Sequence, residues 1–473
     1  MIADLNFVVI SQFDYYFVAD SSMKAYHIYS NPKILEVKFM ENIKKRLERV
    51  GLQSSDIMIP RKGVDLSKWA VVACDQFTSE KDYWERVDKA VGKDPSTLRL
   101  IFPECYLEDG DGDRRIEDIN RSMKEYVDAK LFDTYKDCFF LVKRSCGNAS
   151  RWGLMAALDL DRYSWEKGST SLIRATEGTI LSRIPPRKKI RKDAPLEIPH
   201  IMVLISDEKR SVIEPLAAET GKLKEAYDFD LMENGGHLQA WVVDSESDKE
   251  QITKAFESLY DALDPKNPLL FAMGDGNHSF ATAKSCWEDI KQNLSEEERK
   301  NHPARFCLVE LENIFDPGLV FEPIHRVLFN VPENVFLEEL LNNAESYEVE
   351  TVGCRNCIAK DISNQRKQRF GYCTADKHAV VTLKNPAANI AAGTLQKVID
   401  ALIEKGYSVD YIHGADVTDK LGSEPGNIGL FLPAIDKATF FDTIIKDGAL
   451  PRKTFSMGEA NEKRYYMESR KIK

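Results

Sequence analysis

Short apolar runs alternating with amphipathic helical stretches predict an α+β fold of mixed sheets with flanking helices, arranged as two lobes about a pocket. Length and composition point the same way. At 473 residues the chain is about three times a common domain length. Its 43% hydrophobic and 30% charged residues match a globular protein, not a disordered or collagen-like one. The expected organisation is an N-terminal extension over 1–39, a main α+β domain over 40–330 that holds the candidate site, and a C-terminal α+β portion over 331–473.

The first forty residues are rich in aromatics, Phe7, Phe13, Tyr15, Tyr16 and Phe17 among them, and read as added strands or as an extension with little local order. ENIKKRLERVGL then spaces leucine and valine for one helix face and ends at Gly51. IMIPRKG reads as a loop and WAVVA as a strand. In CDQFTSEKDYW, Thr78 or Ser79 is expected to cap a helix whose first turn carries Glu80 and Asp82. Cys74, Asp75 and Gln76 then fall at a strand-to-helix junction. A helix over 116–131, a strand in KDCFFLVKRS, and a strand with a following loop in GLMAALDLDRYSW come next. Pro185 and Pro186 are expected to stop any helix, which places Arg183, Arg187 and the basic residues after them on a loop.

HIMVLISD and LQAWVVD read as buried strands around the partly helical EPLAAETGKLKEAYDFDL. Leu269 to Met273 reads as a buried strand, Gly274 and Gly276 as a tight turn, and Ser279 to Ile290 as a helix. After the strand CLVEL, the residues Asp316, Glu322, His325 and Arg326 crowd a loop. PENVFLEELLNNAESY starts a fresh helix. FGYCTA and HAVVTL read as strands, AAGTLQKVIDALIEKG and AIDKATFFDTIIKDG as helices. There is no fixed-period repeat.

A net charge of −11 argues against a diffuse nucleic-acid surface, so nucleic-acid binding is not expected, although a local basic pocket stays open. No run approaches the roughly 20 apolar residues that span a bilayer, and the run from Leu5 to Ile10 lacks the basic flank of a secretory signal. The expected address is the cytoplasm. Nine scattered cysteines, an odd number, fit reduced thiols better than a disulfide scaffold. Cys354, Cys357, Cys373 and His378 form C-x2-C-x15-C-x4-H, a donor set sufficient for tetrahedral zinc. Only the first two make a tight pair, so unligated thiols are the expectation and structural zinc the lesser alternative.

The sharpest chemical transition is GDGNHS. It has neither the spacing of a P-loop nor that of G-x-G-x-x-G. Backbone N–H groups around Gly274, Gly276, Asn277 and Ser279 can nevertheless cradle a phosphate. Asp275 can take a hydroxyl proton or hold a divalent cation, and His278 can touch a phosphoryl oxygen or move a proton. The competing structural reading is an Asx turn and a helix cap. A serine-hydrolase elbow and H-E-x-x-H are absent, and His200 and His413 have bland settings. In the basic stretch SLIRATEGTILSRIPPRKKIRKDA, Arg174, Arg183 and Arg187 form either a solvated patch or a grip on phosphate or carboxylate. Glu177 is a second candidate acid, Asp75 and Gln76 are candidate contacts for a metal or a substrate amine, and Glu322 and His325 are candidate substrate contacts.

The stretches ACDQFTSEKDYW (73–84), LIRATEGTILSRIPPR (172–187), LEIPHIMVLISD (196–207), GDGNHSFATAKSCWE (274–288) and HPARFCLVELENIFDPGLVFEPIHRV (302–327) together resemble the uncharacterised-domain family numbered 1015 (DUF1015). With a weaker likeness through PRKTF (451–455), the resemblance covers roughly 40–460. The first forty residues lie outside it, as an accessory extension or the product of a misassigned upstream start. That family is related to the ParB and sulfiredoxin superfamily, which includes free serine kinases. The resemblance implies a ParB/sulfiredoxin-like core with an additional α/β lobe. It also implies that Asp275, Gly276 and His278 match a D-G-H-H-R signature, with Asn277 and Ser279 replacing its first histidine and its arginine. Losing that guanidinium would leave Arg174, Arg183, Arg187 or Arg305 to supply the positive charge.

The expectation is a small-molecule phosphotransferase acting on a phosphorylated or hydroxylated amino acid. In its sharpest form it is a free L-serine kinase using Mg2+ with ATP or ADP, with Asp275, His278 and Glu177 as catalytic groups and Asp275 on the metal. The alternatives are a nucleotide-responsive regulatory or scaffolding protein, which implies a homo-oligomer, and a metal-assisted phosphoserine phosphatase.

Overall fold

Period-two alternation in CFFLV builds the centre of the molecule: Phe139 and Leu141 enter one buried cluster, Phe140 and Val142 the other. The computed structural model describes residues 42–363 and 367–473; the expected extension over 1–39 lies outside them. Strand Phe132–Cys146 pairs antiparallel with Ala149–Asp159 and Gly236–Val243. From there, 11 strands among the described residues join one sheet. Phe306–Asn313 pairs with Ala149–Asp159 on one side and, in parallel, with Met202–Ile205 on the other. Phe271–Asp275 follows, antiparallel to Met202–Ile205 and parallel to Ile173–Arg174.

One face of this sheet is covered by a helix over 42–49 and by helices Glu246–Asp261 and Asn277–Lys291, which contribute Leu47, Phe256, Phe280 and Trp287. The other face packs against Trp69, Trp84, Tyr465 and Met467. Each such fully buried large side chain contributes roughly 1.5–3 kcal/mol of hydrophobic stabilisation.

A second, antiparallel sheet of six strands runs in the order Ala344–Val352, His378–Pro386, Arg369–Cys373, Ile428–Phe431, His325–Phe329, Ser408–Ile412. Helices Glu333–Leu341 and Ala391–Glu404 cover one face through Phe336, Leu340, Leu395 and Val398. Helix Arg355–Ile362 packs Ile358 and Ile362 with Cys373 and Val380. Mixed parallel and antiparallel sheets with flanking helices are the α+β class predicted.

The last residues return to the first sheet. Phe455–Met457 pairs with Phe321–Pro323, Tyr465 bridges Val72, and Arg470–Lys471 pairs with Leu196–Glu197. Arg464, nearly solvent-free, forms ion pairs with Glu310 and Glu468, and so fixes this return to the sheet centre.

Several local expectations are corrected. The apolar run WAVVA is no strand: helix Leu66–Trp69, capped by Asp65, leads into a buried segment in which Val72 bridges Tyr465. A short apolar run reads alike for any buried backbone. IMIP belongs to strand Ser55–Pro60, which ends at its proline, where the missing N–H is tolerated. Helix Lys81–Val91 starts after Glu80, with no side-chain cap from Thr78 or Ser79. Pro185 and Pro186 begin helix Ile184–Lys192 instead of stopping one, because first-turn positions need no N–H donor. Glu322, His325 and Arg326 lie in strands, not in a loop.

Candidate functional site

The end of strand Phe271–Asp275 and the start of helix Asn277–Lys291 form the floor of a cavity of about 500 Å³. Gly276 makes the turn with φ +77°, and a Cβ there would press within 3.1 Å of Ile201 Cα. The turn is clamped to the 176–180 segment. The Thr176 N–H donates to Asn277 Oδ1 at 3.3 Å, the Thr176 hydroxyl donates to the Met273 carbonyl at 2.6 Å, and the Ile180 N–H donates to His278 Nε2 at 3.2 Å. The Leu450 N–H donates to the Thr176 carbonyl at 2.7 Å, which lays the 450–458 segment over the opposite side.

Gly274, Asp275, Gly276, Asn277, His278, Ser279, Glu177, Arg183, Arg187, Asp75 and Gln76 all line this one cavity. Four other proposed residues are occupied elsewhere. Arg174 is buried and donates to the carbonyls of Ser171 (3.0 Å) and Pro268 (2.8 Å). Arg305 pairs with buried Asp159 at 2.5 Å. His325 is buried, and its Nδ1 accepts the Leu432 N–H at 3.1 Å. Glu322 joins His413 and Glu459, their ligand atoms within 4.8 Å of one another, and of these three His413 lines the cavity.

The two carboxylates nearest the turn are driven apart. Burial opposes ionisation of Asp275, but Lys463, the Gly276 N–H and His200 outweigh it and hold the carboxyl below the usual carboxylate range. Lys463 Nζ lies 3.4 Å from Asp275 Oδ2 and 3.3 Å from Ser456 Oγ, and the residue is 9% exposed. Burial, reinforced by the Asp275 charge, pushes Glu177 up to about 7. Burial and then the positive charges of Arg187, Arg183 and Arg452 push His278 down to about 4. His278 is therefore neutral, and because Nε2 accepts the Ile180 N–H, its proton sits on Nδ1.

Arg187 is paired with Glu104. Arg183, Arg452 and Lys453 make no ion pair among the described residues. Ser279 Oγ lies 3.2 Å from His200 Nε2, and His200 Nδ1 lies 2.8 Å from Tyr466 Oη. The arrangement is a polar pocket lined by four carboxyl side chains, among them Asp275 held as an anion and Glu177 titrating near neutrality, with Arg183 and Lys453 also lining it and free of ion pairs among the described residues.

Sequence reasoning missed Lys463, His200, Glu104 and the 452–453 pair. His200 and PRKTF both lie within the stretches that carry the family resemblance. Lys463 sits in the polar run NEKRYY with no local signature. The cysteine and histidine quartet is not one group. Cys373 and His378 gather with Asp419, their ligand atoms within 4.8 Å of one another, while the Cys354 and Cys357 sulfurs face each other at 3.1 Å.

A family model described as "Protein of unknown function (DUF1015)" matches residues 58–402, most of the chain and all five of the longer stretches that carry the resemblance. The chain belongs to the DUF1015 family. In this DUF1015 member the 453–463 wall lies beyond the matched span. No curated protein matches the chain. Several solved structures are similar to it. Among them are a free serine kinase in complex with AMP (10% identity, TM-score 0.36, 67% of this chain and 92% of that one), a conserved hypothetical protein from Pyrococcus furiosus (10%, 0.32, 66% and 90%), and SbnI with a C-terminal truncation from Staphylococcus aureus (10%, 0.32, 64% and 81%). No helix among the described residues is long and apolar enough to cross a membrane.

Proposed function

We propose that the cavity transfers a phosphoryl group between a phosphate-bearing small molecule and a hydroxyl, with nucleotide-dependent phosphorylation of free L-serine as the sharpest form of the reaction. The observation that carries this reading is the pair of carboxylates in opposite protonation regimes, set against cavity-wall cations, Arg183 and Lys453, that form no ion pair among the described residues. Glu177, near 7, is matched to accept the hydroxyl proton as the new O–P bond forms. The bond from phosphorus to the donor oxygen breaks, and its electron pair leaves with the donor. Asp275 stays ionised and orients the hydroxyl. Neutral His278 offers its Nδ1–H to a phosphoryl oxygen, and Arg183, Arg452 and Lys453 offset phosphate charge. Asp75, on the cavity wall, receives a substrate ammonium in this reading.

Asp275 also fits Mg2+ carried on a nucleotide, since that ion needs only one or two protein carboxylates beside the phosphates. When bound, it would offset charge on the phosphates. The test is to incubate folded protein with L-serine, Mg2+ and, in turn, ATP, ADP or pyrophosphate, and to read phosphoserine by mass spectrometry. Product with one donor is expected, and none with Glu177→Gln. No product with any donor would overturn the kinase reading. Phosphate released from phosphoserine without a donor would put hydrolysis in its place, and a nucleotide-dependent change in oligomer mass without phosphorylation would favour a scaffold.

A further inference from the structure

The second sheet holds a pair of thiols that the cavity chemistry does not use. Strand Ala344–Val352 ends at Val352, and two residues later Cys354 caps helix Arg355–Ile362. The C-x2-C spacing places Cys357 on the same side of the first turn, and the two sulfurs lie 3.1 Å apart. Cys354 is exposed and Cys357 half-buried, whereas Cys105, Cys138, Cys286, Cys307 and Cys373 are buried. The Cys357 thiol, then the backbone N–H groups of Cys357 and Asn356, with Arg355 adding to them, bring the Cys354 thiol below its ordinary value. Burial drives Cys138 and Cys373 the other way, to about 12 and about 11.

Packing holds the pair in place. Ile358 and Ile362 anchor the helix in the sheet, and Gly371 leaves the space that Ile358 fills; a Cβ there would collide with it. A metal role is poorly supplied. Among the described residues no third histidine, cysteine or carboxylate gathers with Cys354 and Cys357, since Cys373 and His378 group with Asp419 instead. Two thiolates fall short of the four ligands of a structural zinc site. What remains is an accessible sulfur nucleophile with a second thiol in contact, the arrangement that thiol–disulfide exchange requires.

We propose that Cys354 and Cys357 form a redox-active dithiol that exchanges electrons with low-molecular-weight disulfides of the glutathione type. The Cys354 thiolate attacks one sulfur of the small disulfide, forming a mixed disulfide and releasing one thiolate. Cys357 then loses its proton to solvent and attacks the Cys354 sulfur, which expels the second thiolate and closes the Cys354–Cys357 bond. The protein gives up two electrons, and the small disulfide gains them as two thiols.

The full chain is equilibrated in glutathione buffers of increasing oxidation at pH 7, alkylated, and mapped by mass spectrometry. The Cys354–Cys357 pair is expected to lose two hydrogens while Cys373 and the other buried cysteines remain alkylated. Cys357→Ser should trap one glutathione on Cys354, at least tenfold faster than Cys354→Ser captures one on Cys357. Both substitutions lie at the N-cap or in the first turn of the helix, outside the buried core, and thermal melts are run to check that both variants fold. Failure to form the bond at any ratio in folded protein would overturn the proposal. So would equal capture by the two variants, or release of zinc on modifying the pair.

Discussion

Glu177→Gln tests the electrostatics and the chemistry of the cavity in one substitution. Glutamine keeps the size of the side chain and an oxygen for the Lys453 N–H, and removes only the charge. Burial and then Asp275 raise Glu177 from 4.5 to about 7. That difference, roughly 2.5 pH units, makes ionisation in the folded protein cost about 3 kcal/mol, reduced to roughly 1–3 kcal/mol because the carboxyl is partly reached by solvent. The sign follows from the raised value. Between pH 4.5 and about 7 the folded state keeps a proton that the unfolded state has lost, so the contribution is present at low pH and lost as pH rises through about 7.

Glutamine does not titrate. Urea denaturation should therefore find the variant within about 1 kcal/mol of the parent at pH 5 and more stable by roughly 1–3 kcal/mol at pH 8. Phosphoryl transfer by the same preparation should fall about 10²-fold or more, the usual loss on removing a positioned base. A stability difference identical at both pH values would refute the electrostatic reasoning, and retained turnover would refute the role of base.

In the parent protein, turnover should rise with pH through about 7 as Glu177 loses its proton, with no step from His278 above pH 5; a pH profile flat from 6 to 8 would contradict this. Asp275→Asn should cost roughly 2–4 kcal/mol because it strands the buried Lys463 cation. Adding Lys463→Met should recover more than half of that loss, and strictly additive urea melts would contradict the coupling. Arg183→Ala removes an exposed, unpaired cation, so stability should stay within about 0.5 kcal/mol. Pyrophosphate affinity by calorimetry should drop about tenfold and lose part of its salt dependence. Arg305→Met leaves Asp159 buried without its partner, so the melting temperature should fall while turnover is kept; the reverse pattern would place Arg305 in the site.

The parts of the molecule governed by short-range order were legible. KDCFFLVKRS was legible as a strand because a short apolar run between charged residues marks buried extended chain, whereas which side chain meets which layer is seen only in the packing. GDGNHS was legible as a junction because a glycine with positive φ must follow the strand before a helix can begin. The errors share a cause. Pro185 and Pro186 were misplaced because a proline says where an N–H is missing, not whether the position needs one. Lys463 and His200 were not legible as site residues, since their environment is made by contacts far away in sequence: Tyr466 and His200 are joined by a hydrogen bond across 266 residues. Arg174 and Arg305 were drawn toward the site by charge, yet their guanidiniums already serve carbonyls and a buried carboxylate.

That long return of the chain has a consequence for the order of folding. The floor of the cavity is a local strand-and-turn unit, but its far wall arrives with residues 450–467, which close loops of nearly the full length of the main sheet. Closing so large a loop is slow, and the reward comes only when both ends are already structured. The pocket is therefore a late product of folding, completed after the sheet that carries it. A ligand that needs both walls would bind only the finished chain and, by mass action, hold it there, adding about 2.7 kcal/mol at a hundredfold excess over its dissociation constant. Occupancy of the pocket would thus double as a record that the chain has closed.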